Sequence, residues 1–174
     1  MLFRSGSQVG TSGFQGLRIA IVGDIKHSRV ARSDVQAFTA LGALVTLVAP
    51  PTLLPPALDT WPVDVSHDLD AVIDQVDVLY LLRVQRERMD DALLPSMHEY
   101  SSMYGLDHRR AARLRADALV MHPGPMNRGV EMVVDPAELP GSRILQQVTN
   151  GVAVRMSVLF TVLGAGSDLK GEAS

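Results

Sequence analysis

The chain has 174 residues, of which 47% are hydrophobic and 20% are charged, and its formal net charge is -3 at pH 7. This composition is typical of a soluble globular domain, and the charge gives no reason to expect binding to nucleic acid or to an anionic membrane. The sequence contains no cysteine, which excludes disulfides, thiolate catalysis and cysteine metal sites, and no apolar run approaches the length of a membrane span.

The two ends of the sequence differ in composition from its middle. Residues 1–16 are rich in glycine and serine and predict a flexible lead-in, and residues 165–174 predict a frayed tail. The first residues contain no continuous apolar segment and make a poor signal peptide, so we expect a cytoplasmic protein. Residues 17–164 are expected to form one α/β domain.

Apolar runs alternate with helical patterns along this domain. Five runs predict strands, the third of them short: 17–24, 43–49, 63–68, 77–82 and 117–121. Helices are predicted after the first run, over 69–76, over most of 90–116 with a break near Gly105, and over 143–164. Strands that are apolar throughout and alternate with helices predict a doubly wound, mainly parallel, Rossmann-like sheet with helices on both faces.

In such sheets, ligands bind outside the carboxyl ends of the strands. Three predicted strands end in polar loops: GDIKHSRVARS (23–33), RVQRER (83–88) and HPGPMNRGVE (122–131). These loops hold seven of the 16 lysines and arginines, namely Lys26, Arg29, Arg32, Arg83, Arg86, Arg88 and Arg128. We therefore expect much of the positive charge to meet at one edge of the sheet and attract a small anion, for which the planar guanidinium is well suited.

Each loop also has a simpler structural interpretation. The first could be an ordinary helix start with Ser28 as its N-cap, the second a charged surface turn, and the third a plain chain reversal. Arg83 differs because it directly follows an apolar strand. If this segment is extended, Arg83 and Gln85 lie on the same side, whereas in a helix Glu87 comes within reach of Arg83.

Several site classes are not supported by the sequence. Neither the G-x-G-x-x-G fingerprint of dinucleotide-binding domains nor the phosphate-binding P-loop is present, and no G-x-S-x-G motif indicates a hydrolase. The five histidines do not have the spacing of metal ligands. We therefore expect neither a metal nor a cofactor.

Four segments taken together resemble a known family. GDIKHSRVARS, LLRVQRER, HPGPMNRGVE and QQVTNGVAVRM, in this order and spacing, resemble the C-terminal, L-aspartate-binding half of aspartate carbamoyltransferases, from about Leu17 to Gly164. Ornithine carbamoyltransferases share the fold, but their corresponding turn has a cysteine after the histidine. The resemblance implies transfer of a carbamoyl group from carbamoyl phosphate to L-aspartate, in pyrimidine biosynthesis, by a homotrimer.

The resemblance also implies roles for individual residues. Arg29 and Arg83 look like the arginines that each bind one carboxylate of L-aspartate, and Gln85 looks like the glutamine close to the bound amino acid. Gly124 and Pro125 resemble the positions whose carbonyls contact the carbamoyl group and the attacking amine. The histidine of that turn is expected to shape it rather than to transfer a proton. Supporting positions are Lys26, Glu87, Arg88 and His122.

Members of this family also carry an N-terminal domain that binds carbamoyl phosphate through a Ser-Thr-Arg-Thr loop. This sequence contains no such loop, so we expect the chain alone not to transfer carbamoyl groups. Two alternatives stay open. The chain could be a non-catalytic dicarboxylate-binding or scaffold protein of the same fold, or a domain of the ornithine type.

Overall fold

A five-stranded parallel sheet forms the centre of the computed structural model, which describes residues 13–85 and 96–164. The strands are β1 (Arg18–Val22), β2 (Leu44–Val48), β3 (Asp64–Ser66), β4 (Val78–Leu81) and β5 (Leu119–Met121). They lie in the order β3-β2-β1-β4-β5, so the direction of winding reverses between β1 and β4. The predicted doubly wound parallel sheet is confirmed.

Four helices are described, and each lies within a stretch for which the sequence predicts a helix. They are α1 (Arg29–Ala40), α2 (Met97–Tyr104), α3 (His108–Ala111) and α4 (Ile144–Val162), with short 3-10 turns at Pro51–Leu53, Leu58–Thr60 and Pro136–Glu138. Ser28 caps α1 as predicted, because its hydroxyl accepts a hydrogen bond from the Ala31 N–H at 3.1 Å. The predicted break near Gly105 is the boundary between α2 and α3.

The core explains why the central strands are apolar throughout. In β4 every residue is buried, and in β1 every residue after Arg18 is buried, because both strands have neighbours on either side. Phe14 is also buried, although it lies within residues 1–16, the stretch predicted to be a flexible lead-in. Its ring stacks on Phe38 with 6.1 Å between the centroids.

The register between β1 and β4 determines where the chain leaves the sheet. Val22 pairs with Leu81, and the Leu82 N–H donates to the Val22 carbonyl at 2.8 Å. The next residue of the first loop, Gly23, has φ +129°, and a Cβ there would lie 2.8 Å from the Leu82 carbonyl oxygen. Glycine is therefore required where these two loops begin.

The stretch 69–76 is a succession of turns, so the predicted helix is wrong. The carbonyl of Asp70, which in a helix would accept the N–H four residues later, instead accepts from Nη2 of Arg113 at 2.6 Å. The apolar residues that suggested a helix still serve the core, since Leu69, Ile73 and Val76 are all buried. The long-range contact with Arg113 therefore overrides the helical spacing of the apolar residues in this stretch.

Asp70 is the centre of a cluster of ion pairs with Arg109, Arg110 and Arg113, at 2.9, 2.9 and 2.7 Å. Arg110 is itself buried, and its Nη1 donates to the carbonyls of Ser102 and Gly105. The hydrogen bond from Arg110 is the largest cause that lowers the pKa of Asp70 to about 2, and Arg109 adds to it. The cluster fastens α2 and α3 to the turns at 69–76.

We predict that Asp70→Asn destabilises the domain by about 3 kcal/mol at pH 7, because it leaves the buried Arg110 guanidinium without its counter-charge. Urea unfolding followed by circular dichroism measures this change. The pKa of Asp70 is lower in the folded chain than its ordinary value, so the stabilisation is present above about pH 4 and is lost as the pH falls toward 2.

The matched control is Asp59→Asn, at an exposed aspartate. We expect its unfolding midpoint to stay within error of the unsubstituted chain. Equal stability of the Asp70 and Asp59 variants at pH 7 would show that the cluster does not stabilise the fold.

Candidate functional site

The loops after β1, β4 and β5 meet at the carboxyl edge of the sheet, next to the reversal of winding. Gln85, in the loop after β4, donates from Nε2 to the His27 carbonyl in the first loop at 3.1 Å. Asn127, in the loop after β5, donates from Nδ2 to the Val84 carbonyl at 3.1 Å. Hydrogen bonds therefore join the three polar loops into one surface, at the place where ligands bind in doubly wound sheets.

Glu131 is a buried carboxylate that holds two of these loops together. Its Oε1 accepts from the Val84 N–H at 2.7 Å and from Asn127 Nδ2 at 2.8 Å, and its Oε2 accepts from the Asn127 N–H at 2.7 Å. Its side chain is 1% exposed. A buried carboxylate is stable in such a place when N–H donors replace its water, as these three do.

Asp24 plays the same part on the other side of the loop after β4. Its Oδ2 accepts from the Gln85 N–H at 3.4 Å, and its Oδ1 accepts from the His27 N–H at 3.2 Å and from His27 Nδ1 at 2.8 Å. The sequence prediction assigned neither Asp24 nor Glu131 to the site. The signal was present in the GD that ends the first apolar run and in the acidic end of the third loop, but burial could not be inferred from it.

Residues 82–85, which follow β4, are not helical, and burial alternates from Arg83 to Gln85. Val84 is buried, whereas Arg83 and Gln85 on either side of it are half-buried. This alternation is typical of an extended segment, so Arg83 and Gln85 lie on the same side, away from Val84. Three of the positions named in the sequence analysis, Arg86, Glu87 and Arg88, lie outside the described residues.

The loop after β1 carries the remaining basic candidates. Arg29 is the first residue of α1 and is exposed, and Lys26 is half-buried. The Lys26 N–H donates to the Leu53 carbonyl at 2.8 Å, which ties this loop to the turn after β2. The Arg128 side chain is 77% exposed, and its Nη1 lies 3.8 Å from Oδ2 of Asp135, in the segment that precedes α4.

The turn after β5 is held from inside by His122, which is fully buried. His122 Nδ1 lies 2.9 Å from the Gly124 N–H and accepts its hydrogen bond, so the ring proton is on Nε2. Nε2 is buried and has no hydrogen-bond partner among the described residues. Burial lowers the pKa of His122 to about 4, so the ring is neutral near pH 7.

The turn itself faces outward. Gly124 has φ +69° and Pro125 follows it through a cis peptide bond, and both residues are exposed. The turn therefore lies at the surface of the edge, while the histidine lies beneath it. This arrangement agrees with the expectation that the histidine shapes the turn, and the roles implied for Gly124 and Pro125 stay predictions.

Two features are absent from the described ranges. No group of three or more histidine, aspartate or glutamate side chains there could hold a metal ion. Among the same residues, no helix combines the length and hydropathy needed to cross a membrane. The fold and the loops at this edge define the chain as a doubly wound α/β domain with a polar edge at its switch point.

Comparison with known proteins gives the family. Residues 15–162 match the family described as aspartate/ornithine carbamoyltransferase, Asp/Orn binding domain. The aspartate carbamoyltransferase catalytic subunit of Corynebacterium aurimucosum is 56% identical over 162 residues, which are 93% of this chain and 50% of that protein. The corresponding subunit of Thermobifida fusca is 59% identical over 150 residues, 86% of this chain and 48% of that one.

Solved structures agree. Aspartate transcarbamoylase from Trypanosoma cruzi in complex with carbamoyl phosphate has a TM-score of 0.72 at 29% identity, over 84% of this chain and 49% of that one. The catalytic subunit of M. jannaschii aspartate transcarbamoylase has a TM-score of 0.69 at 28% identity, over 87% and 52%. The chain belongs to the aspartate/ornithine carbamoyltransferase family and corresponds to its amino-acid-binding domain. It spans about half the length of these relatives.

We predict that Glu131→Gln loosens the site, because an amide NH₂ would face at least one of the three N–H donors. The expected loss of stability is about 2 kcal/mol. Hydrogen exchange at the Val84 and Asn127 amides should accelerate. The matched control is Glu138→Gln, at an exposed position, and it should leave the exchange of both amides unchanged. Unchanged exchange of both amides in Glu131→Gln would show that the carboxylate does not hold the loops.

We also predict that His122 stays neutral, with its proton on Nε2, down to about pH 4. Nitrogen-15 NMR of the imidazole distinguishes the two tautomers directly. Because its pKa is lowered on folding, His122 stabilises the fold above about pH 6.5 and this contribution is lost as the pH falls toward 4. A His122 ring that titrates near pH 6.5 would contradict the burial of this side chain.

Proposed function

We propose that the chain is the L-aspartate-binding half of an aspartate carbamoyltransferase, which forms N-carbamoyl-L-aspartate and phosphate in pyrimidine biosynthesis. The observation that carries this proposal is the loop after β4. Arg83 and Gln85 lie on one side of that loop, which Asp24 and Glu131 hold next to the helix that begins at Arg29. The curated relatives of this chain are aspartate carbamoyltransferases.

The chemistry of this edge suits a small dicarboxylate. Two guanidinium groups carried by different loops can each bind one carboxylate, and this selects against neutral and cationic amino acids. Backbone carbonyls of the exposed turn at Gly124 and Pro125 can accept hydrogen bonds from an amine. Catalysis would then consist mainly of placing the amine against the carbamoyl carbon and stabilising the charged intermediate.

The exposed apolar residues in the carboxyl-terminal part of α4 are evidence that another domain packs against this helix. Every residue from 152 to 164 is exposed, and the apolar ones lie on two sides of the helix. One side carries Val152, Met156, Leu159 and Leu163, and the other carries Val154, Val158 and Val162. A helix that is apolar on more than one side is normally buried in a core. We infer that the carbamoyl-phosphate-binding half covers it.

The relatives supply the candidate ligands. Structures of the Trypanosoma cruzi enzyme are complexes with carbamoyl phosphate, with aspartate and phosphate, and with N-(phosphonacetyl)-L-aspartic acid. For this chain, L-aspartate and carbamoyl phosphate are the proposed substrates, and the second needs the other half. The trimer and the cytoplasmic location stay predictions.

The proposal is tested by reconstitution. The purified chain is mixed with the separately produced carbamoyl-phosphate half of the Thermobifida fusca subunit, and carbamoyl-aspartate formation is measured. We expect turnover from the mixture and none from either part. Turnover by this chain alone would overturn the claim that it needs the other half, and calorimetry that finds no N-(phosphonacetyl)-L-aspartate binding to the mixture would overturn the assigned function.

We predict that Arg83→Ala in the mixture weakens N-(phosphonacetyl)-L-aspartate binding by about 1.5–3 kcal/mol, because one charged hydrogen-bond partner is lost. The fold should be retained, since Arg83 lies beyond the buried strand. Arg32→Ala, one turn further along α1 at an exposed arginine, is the matched control and should bind normally. An unfolded Arg83→Ala variant would show that this residue is structural.

The second candidate is a dicarboxylate-binding protein without catalytic activity. The same calorimetry distinguishes it, because such a protein would bind succinate or L-aspartate with or without the carbamoyl-phosphate half and would give no turnover in the mixture.

A further inference from the structure

The strand β5 lies at one edge of the sheet, where the segment that leads into α4 bonds to its outward backbone groups. The Val120 N–H donates to the Gly141 carbonyl at 3.0 Å, and the Val120 carbonyl accepts from the Arg143 N–H at 2.9 Å. Backbone groups two residues apart in a strand face the same side, so the His122 N–H also points outward. A buried N–H in this position needs an acceptor.

Gln147 supplies that acceptor, from the start of the second turn of α4. Its Oε1 accepts from the His122 N–H at 3.2 Å, and its Nε2 lies 3.0 Å from the hydroxyl of Tyr80 in β4. A backbone N–H can only donate, so the amide oxygen faces His122 and the NH₂ group donates to the Tyr80 oxygen. Tyr80 is itself buried, and its hydroxyl therefore fixes the orientation of the amide.

His122 extends this support to the turn. Its backbone is held by Gln147, and its ring Nδ1 accepts from the Gly124 N–H at 2.9 Å. The ring is fully buried, whereas Gly124 and Pro125 are exposed. The exposed part of the turn is therefore joined to α4 by two hydrogen bonds in series, with His122 between them.

We propose that Gln147 is a positioning residue for the turn at 122–125, so that the placement of α4 determines where the backbone of Gly124 and Pro125 lies at the site. Gln147 lies in the segment QQVTNGVAVRM, which carries part of the family resemblance, but no role was predicted for it. The effect on catalysis rests on the proposed function, in which this turn contacts the carbamoyl group and the amine. The hydrogen bonds that hold the turn do not depend on that function.

A glutamine that only stabilised the domain would give a different result on substitution. Its loss would make opening of the whole domain easier, so that amides in all the loops would exchange faster. A glutamine that positions the turn protects the His122 amide locally, because its Oε1 accepts that N–H. The Val84 amide, which donates to Glu131 in another part of the edge, is the internal reference.

The first test is hydrogen exchange of the full chain at pH 7, followed by ¹H–¹⁵N NMR, which needs no ligand. Gln147→Met removes the amide at similar volume, so the protection of the His122 amide should fall about tenfold while that of Val84 is retained. In Gln147→Glu the carboxylate can accept from both the His122 N–H and the Tyr80 hydroxyl, so protection should return.

The matched control is Gln146→Met, at the adjacent glutamine of the same helix, which is exposed. It should leave the exchange of both amides unchanged.

Tyr80→Phe tests how the amide is oriented. The ring can still pack edge-on against Phe38, whose centroid lies 6.4 Å away, but the Gln147 NH₂ group loses its acceptor. The His122 amide should exchange faster than in the unsubstituted chain. Adding Gln147→Met should then cost less protection than it does alone, because both substitutions act on the same hydrogen bond.

The second test uses the mixture with the carbamoyl-phosphate half of the Thermobifida fusca subunit. Gln147→Met should lower kcat about 10- to 100-fold with little change in the KM for L-aspartate, because the arginines proposed to bind its carboxylates lie on other loops. Gln147→Glu should recover most of kcat, and Gln146→Met should keep it.

The positioning of the turn is overturned if the His122 amide stays protected in Gln147→Met, or if the His122 and Val84 amides accelerate equally. An unchanged kcat in Gln147→Met would overturn the consequence for catalysis. An unsubstituted mixture without turnover would instead count against the proposed function, and hydrogen exchange would then decide the role of Gln147 by itself.

Discussion

The structure of the site depends on how the chain leaves the sheet after β4. Leu82 makes the last hydrogen bond to β1, and the N–H groups of Val84 and Gln85 then have no strand to pair with. Two buried carboxylates, Glu131 and Asp24, accept them instead. Because these carboxylates come from the two flanking loops, satisfying the backbone of one loop also fixes its neighbours.

Two groups of arginines in the described ranges have different roles. One group surrounds Asp70 and fastens α2 and α3 to the body of the domain, so its charge is balanced locally. The other group begins α1 and follows β4, at the edge where ligands bind in doubly wound sheets. The acidic residues at that edge are occupied by backbone N–H donors, which explains how buried negative charge can lie beside arginines that are proposed to bind an anion.

In the proposed function, the helix α4 connects the site to the carbamoyl-phosphate-binding half. Its second turn carries Gln147, which holds the backbone of the turn after β5. Its last 11 residues, Val152 to Val162, project apolar side chains away from the domain. One rigid helix would therefore transmit the position of the other half to the turn on which the proposed carbamoyl contacts lie.

The sequence by itself determined the order of the strands along the chain, their burial, the Ser28 cap and the edge at which polar loops would gather. These features depend on local patterns: continuous apolar runs, helical spacing and turn residues. The tertiary structure decided the rest. Residues 69–76 form turns because Arg113, more than 30 positions away, takes the carbonyl that a helix needs. The roles of Asp24 and Glu131, and the hydrogen bonds of Gln147 with His122 and Tyr80, could not be found from spacing, because a buried polar side chain is defined by partners distant in sequence.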